Sequence, residues 1–435
     1  MSGLWLKEAR LFLRQRLAVP ALLLMSALSI FSVWAGMAEM SRQRDTIARI
    51  QPQQAADVAA IAKWVSKEGD AGNAAYYTFH ATWDAPSALA FAAIGQRDVV
   101  PYILRVRALG LEAQLYESEN YNAELALPGR FDWAFVLTYI APLFVIILFH
   151  DLKSGEREAG RFNLLAAMAR SERGLWRRRI VLRLGSLWLM LALPFAVGAI
   201  VSGASFDGIT MYFLVSAAYL VFWTLLCLWI GSRGWSSVTN AATLAASWLV
   251  LTLIFPAMAH LAINMAVPVR QGVELTLAQR EKIHGGWDRP KDETMQAFFK
   301  AHPEWSNAKP VESGFHWKWY YAFQHLGDLA AGGQAKAYRA GLEKRDSWTA
   351  RSAVLLPAVG VQTLLHRWAK TDMRAGLAYQ DRIRLYHERL RRFYYPYLFN
   401  DTPFREADFD KTPKWQSCCA PQSEASLRKD AVVKD

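Results

Sequence analysis

The chain has 435 residues, 53% of them hydrophobic, with 18 Trp and a formal net charge of +12. A soluble protein of this length would spread its apolar residues over two or three cores. Here they are pooled in long blocks almost free of charge, which excludes an ordinary soluble globular protein and points to a bilayer. Three cysteines are too few for a disulfide-built scaffold.

In chain order, residues 1–16 hold Lys7, Arg10, Arg14 and Arg16 against Glu8. With Leu4, Leu6, Leu11, Phe12 and Leu13 among them, they form a basic amphipathic elbow helix expected to lie on the inner leaflet. The alternative is a charged tail that only fixes orientation. Residues 17–37 are the first predicted span, long enough to cross about 30 Å of hydrocarbon. A signal peptide with "AGMA" as its cleavage-like site competes with an uncleaved span, but the run is longer than a usual signal core. Residues 38–130 read as a mainly helical external domain, with loop and short helix over 82–102.

Further predicted spans cover 131–150, 184–203, 211–231 and 238–265. Prolines 20, 142, 194 and 256 fall inside the apolar runs, where neighbouring groups can satisfy the freed carbonyls. Small polar residues also sit there. Ser26, Ser29 and Ser32 recur every three residues, and Asn240 and Ser247 lie in the last span. Such positions serve helix packing or line a pathway. Cys227, inside a span, reads as packing.

The loops alternate in charge. Residues 1–16 carry +3 and 151–183 carry +5, whereas 38–130 carries −2. The turn 232–237 holds Arg233 alone and the turn 204–210 only Asp207. The positive-inside rule then places the N-terminus, 151–183 and 232–237 in the cytoplasm. Five crossings leave 266–435 outside, a second mainly helical domain ending in a polar tail with the C-terminus periplasmic. The fold class expected is therefore an all-α integral membrane protein with five transmembrane helices and two extracytoplasmic domains, multi-pass in a bacterial inner membrane. The positive charge follows this topology, so nucleic acid is not expected as a partner. The apolar stretch 353–369 is broken by Pro357, Gly360, Gln362 and His366. It reads as a helix packed in the second external domain or lying on the outer leaflet, with a sixth span as the alternative.

Residues 151–179 carry eight Lys or Arg against four Asp or Glu between two apolar runs, far more charge than orientation needs. Within them "SGEREAGRFNLL" places Glu156, Arg157, Glu158 and Gly160 before Phe162, Leu164 and Leu165. This reads as a short amphipathic helix able to dock in a groove of a cytoplasmic partner. The arginines that follow can hold anionic headgroups. A solvated loop that only sets topology is the plainer alternative.

The run "PGRFDWAFVLTYIAPLFVIILFHDLKSGEREAGRFNLL", 128–165, resembles the second span and coupling helix of ABC-2-type transporter permeases. It is most similar to the subfamily with large external loops (NosY-like). "APSALAFAAIGQRDVVP", "LLPAVGVQTLLHRWAKTD" and "LRRFYYPYLFNDTPFREADFDKTPKW" resemble the external loops of that subfamily, in the same order. Two departures stand out: Arg161-Phe162 replaces the usual Thr-Leu, and no sixth span follows the second external domain. The resemblance implies a permease subunit that pairs with a second permease copy or paralogue and two cytoplasmic ABC ATPases. Glu156, Arg157, Glu158, Gly160, Phe162 and Leu165 would be its ATPase-coupling residues. ATP and Mg would bind the ATPase and no cofactor this chain, since G-x-x-x-x-G-K-[ST] is absent from it. "LAAGGQAKA" reads as a glycine-rich turn. The family function is ATP-driven export or extraction. The alternatives are mechanical action on a periplasmic protein without translocation, or a membrane-anchored receptor or scaffold.

Catalytic and metal sites are not expected. Nine His are scattered without H-x-x-x-H or H-E-x-x-H spacing, and nothing arranges a Ser-His-Asp set. Adjacent Cys418 and Cys419 rarely bridge each other; an intermolecular bond or a soft-metal contact is their alternative role.

Overall fold

The computed structural model describes residues 2–65, 67, 69–116, 131–168, 171–269, 272–312 and 314–416. Cys418 and Cys419 lie outside the described residues. The chain folds mostly into helices, arranged as an apolar bundle and a more polar head.

Helix α1 (Ser2–Leu13) precedes α2 (Ala18–Val65), a single helix of 48 residues. At 1.5 Å per residue α2 is about 70 Å long, so its apolar first half belongs to the bundle and its polar second half to the head. Next come α3 (Ala71–Tyr77), β1 (His80–Trp83), β2 (Ile103–Val106) and α4 (Glu112–Tyr116). The strands pair antiparallel, His80 opposite Val106 and Trp83 opposite Ile103. This small sheet departs from the all-helical expectation. Gln54 of α2 caps its open edge, donating to Phe79 O at 2.5 Å and accepting from Ala81 N at 2.9 Å.

The bundle resumes with α5 (Trp133–Phe135), a π-helical turn over Val136–Ile140, and α6 (Ala141–Phe149). Pro142 cannot donate to the carbonyl of Thr138. Tyr219 donates to that oxygen instead, at 2.9 Å. Two short helices follow, α7 (Ser154–Glu158) and α8 (Phe162–Met168). Then come α9 (Glu172–Val201), α10 (Phe206–Gly231), α11 (Ser237–Leu249), a second π turn at Val250–Ile254, and α12 (Phe255–Ala266). Pro256 again follows the π turn. Five helical stretches are long and apolar enough to cross a membrane: Ala18–Val65, Trp133–Glu158, Glu172–Val201, Phe206–Gly231 and Ser237–Ala266. The last is the least covered by its own chain, with Val238, Met258, Leu261 and Met265 all exposed.

The head adds α13 (Gly272–His284), α14 (Lys291–Ala301), α15 (Trp317–Ser352), α16 (Pro357–Ala369) and α17 (Met373–Phe399). Helix α16 has 13 residues, about 20 Å, and falls short of a span. It seats Val361, Leu365 and Ala369 in the bundle core, while Tyr212 donates to Leu365 O at 2.8 Å. On α17, Tyr379, Ile383, Tyr386 and Leu390 are buried at the helical spacing the sequence shows, with Phe393 half-buried.

The two segments expected to be separate external domains share one core. Ala62, Ala74, Val106 and Leu111 from the first pack with Phe298, Trp319, Ile383 and Phe399 from the second. A buried polar node bolts them together. Asp328 accepts from Leu111 N at 2.9 Å, Gln279 Nε2 at 2.6 Å and Arg391 Nη2 at 2.5 Å. Arg391 also donates to Leu109 O at 2.8 Å.

Candidate functional site

At the end of the bundle away from the head, α1, α7, α8 and the start of α9 come together. Helix α7 is short because Gly160 sits at a φ of +70°, where a left-handed residue closes the last turn. The backbone N–H of Arg161 returns to Glu156 O at 2.9 Å, and that of Gly160 to Arg157 O at 2.9 Å. The turn needs a glycine, and the chain leaves it to start α8 at Phe162.

The charges of α7 are spent within the chain. Glu156 accepts from Arg179 Nη1 at 2.8 Å and from Arg161 Nε at 2.9 Å. Arg179 reaches Glu8 of α1 at 3.1 Å with its Nε, so one guanidinium joins α1, α7 and α9. Arg157 donates to Gly231 O at 3.1 Å, at the end of α10. Glu158 accepts from Ser237 N at 2.6 Å and Ser237 Oγ at 2.9 Å, placing a carboxylate on the N-terminus of α11, where the aligned peptide dipoles favour negative charge. Ser154, which is buried, contacts Ser237 Oγ at 2.8 Å. Asn240 donates to His150 O and Ser154 Oγ, both at 3.3 Å. Helix α7 is thus held against α9 and against both sides of the α10–α11 turn.

Phe162 turns inward. Its ring stacks on Trp176 at 5.9 Å, and the Arg157 guanidinium lies over it at 5.9 Å. Leu165 is half-buried. The apolar side chains presented outward on α8 are Leu164, 59% exposed, and Met168, 77% exposed. The docking helix read from the sequence includes Leu164 but not Met168, whose signal is the i, i+4 spacing of the two.

On α1, Lys7 and Arg10 are exposed, as are Leu4, Leu6, Leu11 and Leu13, and so are Arg14 and Arg16 in the turn that follows it. Phe12 alone is buried in the bundle core, under the Arg183 guanidinium at 5.9 Å. Ser29 and Ser32 are fully buried between helices. Ser29 donates to Leu191 O at 3.3 Å across the α2–α9 contact, and Ser32 donates to Ser29 O at 2.9 Å. Ser26 is half-buried on the same face. Ser247, half-buried, donates to Thr243 O at 2.8 Å within α11. Cys227 is a buried free thiol.

The head end of the bundle is closed by a loop. Leu89, Ala90, Phe91, Ala92, Ala93 and Ile94 are all 5% exposed or less. Phe91 stacks on Phe195 at 6.0 Å, and Phe195 stacks in turn on Tyr212 at 4.9 Å. Glycines make the room: a Cβ on Gly36 would stand 1.9 Å from Phe91 O, and one on Gly198 would stand 2.7 Å from the Phe91 ring. Asp132 fixes the exit, accepting from Ile94 N and Phe135 N, both at 2.8 Å. Thr371, beyond α16, donates to Ala93 O at 2.7 Å.

In the head, a cleft of about 860 Å³ runs between the second half of α2, β1 and residues 406–415. His80 is buried at its base, and burial pushes its imidazole down to about 3. His387, whose Nε2 contacts Leu109 O at 2.8 Å, is pushed well below its ordinary value by burial and then by Arg391. Burial raises the Asp328 carboxyl against the opposing pull of Arg391.

Residues 273–417 match a domain family described only as a domain of unknown function, DUF3526. That match begins in α13 and covers the later part of the head, and the bundle lies outside it. No curated protein and no solved structure matches the chain. The resemblance to ABC-2-type permeases therefore has no counterpart in these matches.

Proposed function

We propose that this chain is the membrane subunit of an ABC-2-type transporter, driven by separate ATPase subunits and coupling their work to export or extraction of a substrate. The observation that carries the reading is the α7–α8 pair. An exposed apolar pair, Leu164 and Met168, is mounted on a segment whose charged residues grip α1, α9 and the α10–α11 turn. A push on α8 would reach several bundle helices through these ties, which is what a coupling element needs. The uncovered face of α11 and α12 leaves apolar area for lipid or for a second permease copy or paralogue. In this reading the basic end is cytoplasmic and the head periplasmic, in a bacterial inner membrane. Neither ATP nor Mg is bound by this chain.

A second reading, mechanical action on a periplasmic protein without translocation, is favoured by α2. Its 48 residues run unbroken from bundle to head, and the buried 89–94 loop ties the head to the bundle mouth. The two readings are separated by flux. The complex with its ATPase is purified and reconstituted in vesicles, and ATP-dependent movement of candidate substrates is measured beside ATP hydrolysis. Hydrolysis that responds to a periplasmic protein with no flux supports the mechanical reading. Failure of any ATPase to co-purify removes both.

A further inference from the structure

His302 follows α14 and His325 lies in α15, and their Nε2 atoms meet at 2.9 Å. Behind each ring stands an oxygen. His302 Nδ1 contacts Glu304 Oε1 at 2.8 Å, and His325 Nδ1 contacts Tyr395 Oη at 3.1 Å. A carboxylate only accepts, so a neutral His302 carries its proton on Nδ1 and keeps a lone pair on Nε2. The Tyr395 hydroxyl can accept or donate. When it accepts from His325 Nδ1–H, the second Nε2 also bears a lone pair. Two imidazole lone pairs then converge on one point, each ring oriented from behind, as in histidines that ligate a metal.

The pair opens on a cleft of about 260 Å³. Arg391 is paired with Asp328 at 2.5 Å, and Arg392 with Glu388 at 3.1 Å. Glu304 adds a negative charge beside His302, which favours a cation there, while Arg391 opposes positive charge at His325. We propose that His302 and His325 bind a divalent ion of the zinc class through Nε2, with Glu304 and Tyr395 as positioning residues and cleft water as the remaining ligands. Imidazole nitrogen selects a borderline ion over magnesium or calcium, which take oxygen. Tetrahedral zinc with nitrogens at about 2.05 Å sets them about 3.3 Å apart. The rings must therefore part by a few tenths of an ångström, which the half-exposed His302 outside α14 can supply. Binding selects the His325 tautomer with Nδ1–H, and no proton leaves the site. Among the described residues no group of three or more His, Cys, Asp or Glu is placed to hold a metal, so this chain supplies two ligands and water must supply the others.

The site is independent of the transport reading, and its test uses the full chain in detergent. Zn²⁺ is titrated by calorimetry, and Co²⁺ is followed by visible absorption as a report of tetrahedral nitrogen ligation. One equivalent binds, His302→Gln weakens it at least tenfold, and Glu304→Gln weakens it about tenfold. His284→Gln, an exposed histidine on α13, leaves it unchanged. Unaltered circular dichroism and melting of metal-free His302→Gln show that the loss is one of ligation. Absence of stoichiometric binding, or equal affinity in His302→Gln, overturns the proposal and leaves a hydrogen-bonded chain from Tyr395 to Glu304.

Discussion

Arg179 and Glu156 meet at 2.8 Å with only 11% and 15% of their side chains exposed, and this contact fastens α7 to α9. Both partners are largely withdrawn from water, so removing one strands the other. Arg179→Ala leaves Glu156 with the exposed Arg161 and frees Glu8 of α1. Hydrogen bonds to charged groups contribute about 1.5–3 kcal/mol each, and partial water access puts the expected loss near the lower figure. Hydrogen exchange should show faster opening over 154–168, with the head unaffected. Arg161→Ala, at a 62% exposed side chain, should change little.

The loop that closes the bundle mouth makes a sharper demand. Gly36→Ala would drive a methyl into the Phe91 carbonyl, and backbone cannot step aside cheaply. Phe91→Ala would empty a fully buried aromatic site, at a cost of about 3 kcal/mol or more. Both variants should lower the melting temperature in detergent. A control on the exposed face of the bundle such as Leu193→Ala, 56% exposed, should not.

Acid should loosen the head. His80 is held at about 3 and His387 well below its ordinary value, whereas an unfolded histidine titrates near 6.5. From pH 6.5 down toward those lower values the unfolded chain binds more protons, so stability falls as pH falls. Each histidine contributes about 1.4 kcal/mol per pH unit across that window. His80 is faced by Tyr386 and Tyr394, with Glu406, Asp410 and Lys414 lining the same cleft. His387 is faced by Arg391. Tryptophan fluorescence during denaturant unfolding at pH 7, 6 and 5 measures the slope, and His80→Asn should remove about one histidine's share. A slope unchanged by that substitution would mean that His80 is not buried neutral.

Topology is checked with single cysteines. With Cys418 and Cys419 replaced by Ser, Val354→Cys in the head and Met168→Cys on α8 are both well exposed, at 86% and 77%, while Cys227 is buried. In intact spheroplasts an impermeant thiol reagent should label position 354 at once and position 168 only after permeabilisation. The reverse pattern would invert the orientation argued from the basic loops.

Much of the architecture was legible in the chain. The five long apolar helices announce themselves because each rests on about twenty apolar residues with little charge, and the helical spacing of Tyr379, Ile383, Tyr386 and Leu390 is a local signal. What escaped reading depends on partners distant in sequence. The β1–β2 sheet is four residues a side and is sealed by a glutamine from another helix. Asp328 and Arg391 unite two head segments through Leu111 and Leu109, 217 and 282 residues away in the chain. "SGERE" is visible as a charged helix, but its charges bind Arg179, Gly231 and Ser237, none of which its own spacing can reveal. His302 and His325 have no motif spacing and are joined only by the packing of α14 on α15.

The coupling role proposed for α8 is tested most directly by photo-crosslinking in cells. A photoreactive residue at position 164 or 168, with a control at position 354, is activated and its adducts are identified by mass spectrometry. The account predicts an ATPase bearing a phosphate-binding loop at 164 and 168, and none at 354. Adducts with lipid alone at 164 and 168, from a chain shown to be inserted and folded, would contradict it.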